Sequence, residues 1–410
     1  MFKLRKPFFV ILLIICLNSI NLFGQKRELF YENYNIDTAK IGVLYLNLDN
    51  VNFFINNEFA SEKTISYTLP GYKLIPKLSF AVYDNILLEA GVSFLHYWGT
   101  NKYPMYSYLG ISNWESNKYQ NFYHFLPFFR AKANFGDNFH IVFGNLYNNR
   151  NHNLITPLYN PEFSFSSDEE MGVQTLFNSK YFDSDIWLNW QSFIFKNDYH
   201  QEVFTFGAST KTKLPIKNKN ISFYLPIQFL AQHKGGGLDT NYNKNQLIEN
   251  LAFGLGLSFC PKRILDKISF DVSYINSFQN SIEEIPFQKG YGLYHNLSIE
   301  KQNFNLRFAY WIGKDFFSIY GSEHFFNYST TTKGMIFNDI NLLHTHFGYL
   351  LTSKNRYLIG LDVDLYYYMP FDGCREGYGY IKSSDYVDFS FGIYLKINPE
   401  FRLKNIKNTN

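Results

Sequence analysis

Residues 387–398 read VDFSFGIYLKIN and alternate between apolar and polar positions along the whole segment. Because a strand points successive side chains to opposite faces, one face is wholly apolar and consists of Val387, Phe389, Phe391, Ile393, Leu395 and Ile397. The opposite face carries the charged residues Asp388 and Lys396. The segment therefore predicts a strand with one apolar and one polar surface, and either surface could face inward.

The same alternation recurs along most of the chain, for example in residues 223–229, 268–274 and 304–310. Aromatic residues make up 20% of the sequence, and many of them fall on the apolar faces of these segments. A soluble β-sandwich also alternates, but its strands are shorter and its apolar faces carry fewer large rings. The pattern favours an all-β, transmembrane, antiparallel up-and-down barrel, apolar outside and polar within.

The amino terminus has the features of an export signal. Lys3, Arg5 and Lys6 precede an apolar stretch over residues 8–17, and Gly24 provides a small residue for cleavage. The apolar stretch is shorter than the ~20 residues that a helical anchor requires. We expect residues 1–24 to be removed and residues 25–410 to form one barrel domain, with a short periplasmic tail over about 399–410.

The charge of the chain argues against nucleic-acid binding. The formal net charge is +3, and the three cations of the signal account for all of it. The processed chain is thus formally neutral and has no long basic run, so we predict no nucleic-acid partner. Cys260 and Cys374 are expected at opposite ends of the barrel and are not expected to pair.

Connection lengths give a second indication of a barrel, because outer-membrane barrels join their strands by short periplasmic turns and long external loops. Short connections are predicted at 84–85, 136–137, 183–184, 215–219, 261–266, 301–302 and 353–355, and long ones at 100–121, 149–169, 234–246, 279–290 and 370–384. Treating 314–339 as one external loop gives about 16 strands. Counts of 14 or 18 remain open, and Ile41 to Leu48 is the most plausible extra strand. Loops 149–169 and 314–339 are candidates to fold inward.

Charged residues on the inward parity are the candidate lumen-lining residues. They are Arg130, Lys132, Asp271, Arg307, Asp362, Asp364, Asp388 and Lys396. Groups of both signs on one wall could order ions and polar solutes, as channel constrictions do. The simpler explanation is that a wet interior carries paired charges only to stay hydrated, and this reading is favoured.

Two clusters could suggest a metal. Asp362, Asp364 and Asp388 should lie near one another, but neutralisation by a facing Arg or Lys is the preferred explanation. His344 and His346 point the same way along a strand, yet no third ligand stands at a recognisable spacing, so a hydrated pair is preferred. We predict no metal and no cofactor.

Aromatic residues near strand ends are expected to form the two interface girdles. Trp98, Trp311 and Tyr366 to Tyr368 fall at one end, and Tyr181 and Trp187 near the other. An alternative for Trp187 and Trp311, which are on the inward parity, is a path of rings on which sugars stack.

Catalysis is not indicated by the sequence. Ser and His are present, but no nucleophile-elbow pattern and no Ser–His pair with a suggestive spacing occurs, so we predict that the chain is not an enzyme.

Several segments resemble the porin-type barrels of Gram-negative outer membranes, especially aromatic-rich ones from Bacteroidetes. They are Phe23-Gly24-Gln25, residues 53–59, Thr68-Leu69-Pro70-Gly71 leading into 78–95, and Asp185-Ile186-Trp187 followed by Gln201-Glu202 and Phe206-Gly207. The resemblance implies the cell outer membrane as the location. It also implies a bilayer with a lipopolysaccharide-type outer leaflet and the barrel assembly machinery as partners, and it leaves room for a homo-oligomer.

These observations lead to two hypotheses of different classes. The first is a porin-like channel for passive diffusion of small polar solutes, motivated by a polar inner face that carries both charge signs. The second is a plugged structural or binding barrel that serves as a subunit of an outer-membrane complex. Conductance in a planar bilayer separates the two.

Overall fold

The computed structural model describes residues 35–61, 63–98, 124–148, 152–195, 201–218, 220–235, 245–261, 264–280, 285–353, 357–375, 379–382 and 385–406. The proposed signal segment lies outside these residues, as does the connection predicted at 100–121. Strands dominate the described part of the chain. The one α-helix in it, α1, is the single turn Phe163–Ser166. No helix among these residues has the length and apolar character needed to cross a membrane.

The strands run in chain order as follows: β1 (Val43–Glu58), β2 (Tyr67–Tyr83), β3 (Ile86–Tyr97), β4 (His124–Phe135), β5 (Phe139–Asn145), β6 (Met171–Asn178), β7 (Phe182–Ser192), β8 (Glu202–Lys213), β9 (Ile221–Gly235), β10 (Gln246–Phe259), β11 (Lys267–Gln279), β12 (Lys289–Lys301), β13 (Phe304–Lys314), β14 (Met335–Phe337), β15 (Asp339–Ser353), β16 (Tyr357–Tyr368), β17 (Asp372–Arg375), β18 (Gly379–Lys382), β19 (Tyr386–Ile397) and β20 (Glu400–Asn405).

The sheet closes on itself through β1 and the end of the chain. Seventeen of the described strands form one antiparallel sheet in which β1 to β13, β15, β16 and β19 pair in succession, and β1 closes the sheet by pairing with both β19 and β20. Because β19 and β20 occupy successive parts of one position beside β1, the barrel has sixteen strand positions. The predicted all-β, up-and-down, antiparallel barrel of about 16 strands is confirmed. The remaining strands, β14, β17 and β18, form a small separate sheet.

Two details near β1 differ from the prediction. Ile41 to Leu48 does not supply an extra strand, because Val43 onward is the first half of the long strand β1. The predicted tail from 399 is also wrong for residues 400–405, which form β20 and pair with Val43 to Asn47. The extra length of β1 exposes backbone groups beyond the end of β19, and the end of the chain satisfies them after a break at Pro399.

The two ends of the barrel differ in their connections. At the turn end, β2 and β3 are joined at Asp84 and Asn85, and β12 and β13 at Gln302 and Asn303. At the loop end, the described parts of the connections include 59–61 and 63–66 after β1, 146–148 and 152–170 after β5, and 315–338 after β13. The turn predicted at 183–184 instead lies at 179–181, because Ser179 hydrogen-bonds to the backbone of Phe182 and closes the turn there.

The apolar faces of the strands point outward. On β19, Ile393 is 49% exposed, whereas Asp388 is 0% exposed inside the barrel. A closed sheet with an apolar exterior leaves no unpaired edge and presents the surface that hydrocarbon tails require. Cys260 at the turn end and Cys374 at the loop end are free thiols.

Candidate functional site

All eight predicted lumen residues lie on the inner face of the wall, but they belong to several separate groups. On β4, Arg130 donates to Glu89 at 3.1 Å and to the carbonyl of Asn145 at 2.7 Å. Its guanidinium also lies 3.8 Å from the centre of the Tyr147 ring. Lys132 is buried, and its ammonium nitrogen lies 5.7 Å from the centre of the same ring. These contacts fix the loop end of β5 to the wall.

Two more of the predicted lumen residues, Asp271 and Lys396, are also held by neighbouring residues. On β11, Asp271 accepts hydrogen bonds from Tyr224 and, at 3.4 Å, from Asn296. Lys396 is half-buried on β19 toward the turn end. The preferred reading, in which charges of a wet interior are satisfied by neighbours, fits Arg130 and Asp271.

The loop between β5 and β6 folds into the barrel, as the sequence led us to expect. Its His152 is fully buried and contacts Asp185 of β7 at 2.9 Å and Glu170 at 2.8 Å. Burial disfavours the imidazolium, but the attraction and hydrogen bonds of the two carboxylates outweigh it and raise the pKa of His152 to about 10. The ring also stacks on Trp187 at 3.9 Å.

The loop between β13 and β15 also folds inward. The carbonyl of Phe317 accepts hydrogen bonds from Asn250 at 2.8 Å and from Ser277 at 2.5 Å. Phe316 and Phe325 are fully buried and pack on Trp311 of β13. The two inward loops and the wall they contact thus form one apolar core inside part of the lumen.

Several aromatic residues assigned to the interface girdles belong to this inner core instead. Trp187, Trp311, Tyr366 and Tyr368 are buried, whereas Trp98 is 51% exposed. The alternative of a sugar-stacking path through Trp187 and Trp311 is also wrong, because loop residues cover both indoles. Parity placed both indoles inside, but it could not reveal the loops that pack over them.

The connection between β1 and β2 caps the loop end. Asp388 accepts hydrogen bonds from the backbone of Ala60 at 2.7 Å and from the hydroxyl of Ser61 at 2.5 Å. His324 approaches the same carboxylate at 3.6 Å. Asp388 is therefore an anchor for the cap. It does not join Asp362 and Asp364 in a cluster, although the register brings its strand beside theirs as predicted.

A buried lysine fastens the cap to the β13–β15 loop. Lys63 is 0% exposed, donates to the carbonyl of Phe326 and lies 5.3 Å from the centre of the Phe337 ring. Burial disfavours the ammonium more than the nearby carboxylates of Asp388 and Glu323 favour it, so the pKa of Lys63 is lowered to about 7.

Beside the inward loops, a cavity of about 900 Å³ lies between the loops and a wall formed by β1, β2, β12, β13, β15, β16 and β19. At the loop end it is lined by Thr64, Ile65 and Thr331, and at the other by Asn303 in a turn between strands. The lining therefore reaches from one end of the barrel to the other.

The middle of this cavity holds the remaining predicted residues. Asp364 contacts both predicted histidines, His344 at 2.7 Å and His346 at 3.0 Å. Asp362 lies 4.0 Å from His346. Arg307 donates to Thr156 of the β5–β6 loop at 3.2 Å. The histidine pair is thus held by a carboxylate of the neighbouring strand, a partner that only the strand register reveals.

Other cavity residues were not predicted from the sequence. Glu162 precedes α1 and is held by Tyr67 and, at 3.0 Å, by Asn57. Burial raises the pKa of Glu162 more than these hydrogen bonds lower it. Phe165 stacks on Tyr394 at 4.3 Å. In the part of the chain that the structure describes, no group of three or more His, Cys, Asp or Glu side chains is arranged to hold a metal.

Comparisons with known proteins agree with this architecture. The barrel is similar to OccAB1 of Acinetobacter baumannii, with a TM-score of 0.50 and 10% identity over 90% of this chain and 100% of that chain. OccAB4 of the same organism gives a TM-score of 0.48 and 9% identity over 89% of this chain and 100% of that chain. For the outer membrane protein OprD from Pseudomonas aeruginosa the values are 0.46 and 8%, over 90% and 97%.

At such an identity the likeness to OccAB1 shows the fold alone, which is that of a closed antiparallel β-barrel. Comparison with curated protein sequences finds no match. The sequence profile of the family described as lipid A 3'-O-deacylase-type matches residues 36–406, which is nearly the whole chain. The chain belongs to the lipid A 3'-O-deacylase-type family.

Proposed function

We propose that this protein is an outer-membrane channel for small polar solutes and that its route is the cavity beside the inward loops. The observation that carries the proposal is the extent of that cavity, from Thr64 and Thr331 at the loop end to Asn303 at the turn end. A lining of charged, imidazole and hydroxyl groups replaces part of a solute's hydration shell. No covalent step and no energy input are needed.

The inward loops make this a narrow route. Their apolar core fills the lumen beside Trp187 and Trp311, so solutes have only the remaining side of the barrel. Phe165 of α1 lies against Tyr394 and forms part of the cavity wall. The expected behaviour is therefore a small conductance and selection among solutes.

Conductance in planar bilayers tests the proposal. The purified protein should give reproducible single-channel steps, and Phe165→Ala should enlarge them because it removes a ring from the cavity wall. Leu255→Ala, a change on the lipid-facing side of β10, is the matched control and should leave the steps unchanged. The absence of conductance steps from folded protein would favour the plugged barrel that serves as a subunit of an outer-membrane complex.

Membership of the lipid A 3'-O-deacylase-type family supports a second candidate, hydrolysis of an acyl chain of lipid A. Such a reaction needs a nucleophile activated by a base, often a serine beside a histidine. Ser61, His324 and Asp388 lie together, but the Ser61 hydroxyl bonds to the carboxylate and His324 bonds to Tyr368 at 2.6 Å. This geometry suits an anchor better than a nucleophile with its base.

Mass spectrometry of lipid A incubated with the protein in mixed micelles tests the second candidate. The channel proposal expects no released acyl chain. Release that disappears in Ser61→Ala, while the variant stays folded, would establish hydrolysis at this cluster. Release that persists in the variant would establish an enzyme with its site elsewhere.

The surroundings of the barrel follow from the same proposal. We expect a lipopolysaccharide-type leaflet around the loop end, insertion by the barrel assembly machinery and room for a homo-oligomer. These partners remain predictions from the sequence.

A further inference from the structure

We propose that the cavity contains a binding site for a small zwitterion, an amino-acid-like solute whose carboxylate meets Arg307 and whose ammonium group meets Asp362. The site lies on the inner face of β13, β15 and β16. The inference rests on the proposed function for its role in passage, and it names the class of solute that the channel selects.

Arg307 offers an anchor for a carboxylate. It is the one lysine or arginine among the described residues that line the cavity, and it donates there to the neutral hydroxyl of Thr156 and approaches that of Tyr294. A guanidinium has five donors and binds carboxylates through two parallel hydrogen bonds. With only these neutral hydroxyl partners, a guanidinium of five donors retains most of them for a solute.

Asp362 offers an anchor for an ammonium group. Four described carboxylates line the cavity, and three of them are each held by two side chains: Asp364 by two histidines, Glu162 by Tyr67 and Asn57, and Glu323 by Thr64 and Thr330. Asp362 has one such hydrogen bond, from the hydroxyl of Tyr394, because the ring of His346 lies 4.0 Å away and is beyond hydrogen-bond distance.

The strand register places these two anchors on either side of a notch. Arg307 stands opposite His346, and Asp362 stands opposite Gly348, the next inward residue of β15. The two anchors are thus on the order of 10 Å apart at their Cα atoms. A side chain at Gly348 would begin 3.1 Å from both Asp362 Oδ1 and His346 Nε2, so its absence leaves a recess in the wall between the two charges.

Independent evidence for a ligand comes from polar atoms without partners in residues that line the same cavity. Asn296 Oδ1, Asn305 Oδ1, Ser318 Oγ and His344 Nδ1 are buried atoms with no hydrogen-bond partner, and all four residues line the cavity. Ser318 and His344 are themselves nearly fully buried. Buried polar groups are rarely left unpaired, and a convergent set of them indicates a site for a polar ligand.

A zwitterion fits this set better than a solute with one charge. A simple anion would satisfy Arg307 but approach the carboxylate side of the recess, and a simple cation would satisfy Asp362 but approach the guanidinium. A solute with both charges satisfies both anchors without adding net charge to a low-dielectric site. The unpaired amide and hydroxyl groups can then form hydrogen bonds with the other polar atoms of a small molecule.

Isothermal titration of the full-length protein in detergent tests the inference without relying on conductance. Four probes give the four combinations of charged and neutral ends: glycine has both charges, glycinamide only the ammonium group, N-acetylglycine only the carboxylate and N-acetylglycinamide neither. Glycine should bind more tightly than either singly charged analogue by about tenfold, as the loss of one charge-assisted hydrogen bond predicts. N-acetylglycinamide should bind most weakly. Equal binding of all four probes, or no binding of glycine, would overturn the inference.

Variants assign the two anchors separately. Arg307→Gln should weaken glycine and N-acetylglycine and leave glycinamide unchanged, whereas Asp362→Asn should weaken glycine and glycinamide and leave N-acetylglycine unchanged. Asp137→Asn, an exposed change in the turn after β4, is the control and should alter none of them. Circular dichroism verifies the fold of each variant. A uniform loss across all probes in a folded variant would assign that residue a structural role and contradict the proposal.

Single-channel recording then distinguishes the inference from the proposed function. One outcome is conductance steps that added glycine does not reduce, together with no heat of glycine binding in the titration. This outcome would support the channel and contradict the zwitterion site. The opposite outcome is glycine binding without conductance steps. It would support the binding site, now in a closed barrel, and contradict the channel.

Discussion

Trp311 lies flat inside the barrel because two facing residues have no side chain. Gly292 on β12 stands opposite Gly313 on β13, and a Cβ atom at Gly292 would fall 1.8 Å from Trp311 Cη2. Gly292→Ala should therefore displace the indole, loosen the β13–β15 loop and reduce the free energy of unfolding by about 1–3 kcal/mol, as overpacking does. Thermal unfolding followed by circular dichroism measures the loss.

Two companion variants make this prediction specific. Gly360→Ala adds the same atom on the inner face of β16, where the neighbours are side-chain carbons at 3.1 and 3.2 Å, and its effect should be smaller. In the Trp311→Ala background the effect of Gly292→Ala should largely disappear, because the clash has been removed. An equal loss in both backgrounds would show that Trp311 is not the reason for the glycine.

His152 should make stability depend on pH. Its pKa is raised from 6.5 to about 10, so the folded protein holds a proton that the unfolded chain releases between these values. The stabilisation is complete below pH 6.5 and is lost as pH rises through 10. At pH 6, His152→Gln should cost about 3 kcal/mol, because Asp185 and Glu170 lose their buried partner.

The measurement is the melting temperature in detergent at pH 6 and pH 10. The difference between the parent and His152→Gln should shrink at the higher pH. His233→Gln, which removes an imidazole from the lipid-facing side of β9, should show no such change. A penalty for His152→Gln that is the same at both values would mean that the buried ring is neutral.

The cap between β1 and β2 should respond to pH with the opposite sign. The pKa of Lys63 is lowered from 10.5 to about 7, so the unfolded chain binds the proton more readily between these values. The penalty for burying the ammonium is complete below pH 7 and is relieved as pH rises toward 10.5.

Lys63→Met should be stabilising at pH 7 relative to its effect at pH 10, and Lys289→Met, at an exposed lysine, should show no such difference. Melting temperatures at pH 7 and 10 measure this, and equal effects of Lys63→Met at both would contradict the assigned pKa.

At the scale of strands and loops, much of the architecture was predictable from the sequence. Alternation along residues such as 387–397 separates an apolar from a polar side of each strand, and connection length separates the two ends of the barrel. The inward position of Arg307 and Asp364 followed from parity alone. The 149–169 and 314–339 loops were also named as candidates to fold inward.

The remaining features depend on contacts between distant segments. Asp364 holds His344 and His346 because the β15–β16 register aligns them, and parity within one strand carries no register information. Asp388 binds the cap at Ala60 and Ser61, more than 300 residues earlier in the chain. Glu162 enters the cavity from a loop, where no periodicity indicates direction. Trp187 and Trp311 were wrongly assigned to the interface girdles because parity within a strand does not reveal the loops that pack over them.

The whole molecule combines a lipid-facing barrel with a partly filled interior. The exterior explains the aromatic-rich composition, and inner-face charges such as Arg130 and Asp271 are bound by side chains of nearby strands, Glu89 and Tyr224. The central claim is that the cavity beside the loops, and not the loop core, is the route through the membrane. Ser298 on β12 lines this cavity, whereas Leu255 on β10 is 55% exposed on the outside.

The most direct test of that claim is the single-channel conductance of Ser298→Cys and Leu255→Cys, each with Cys260 and Cys374 replaced by Ser, before and after addition of a charged methanethiosulfonate reagent. The account predicts that modification reduces the conductance of Ser298→Cys by at least half, as a rough estimate for a narrow pore, and leaves Leu255→Cys unchanged. An unchanged conductance in modified Ser298→Cys would contradict it.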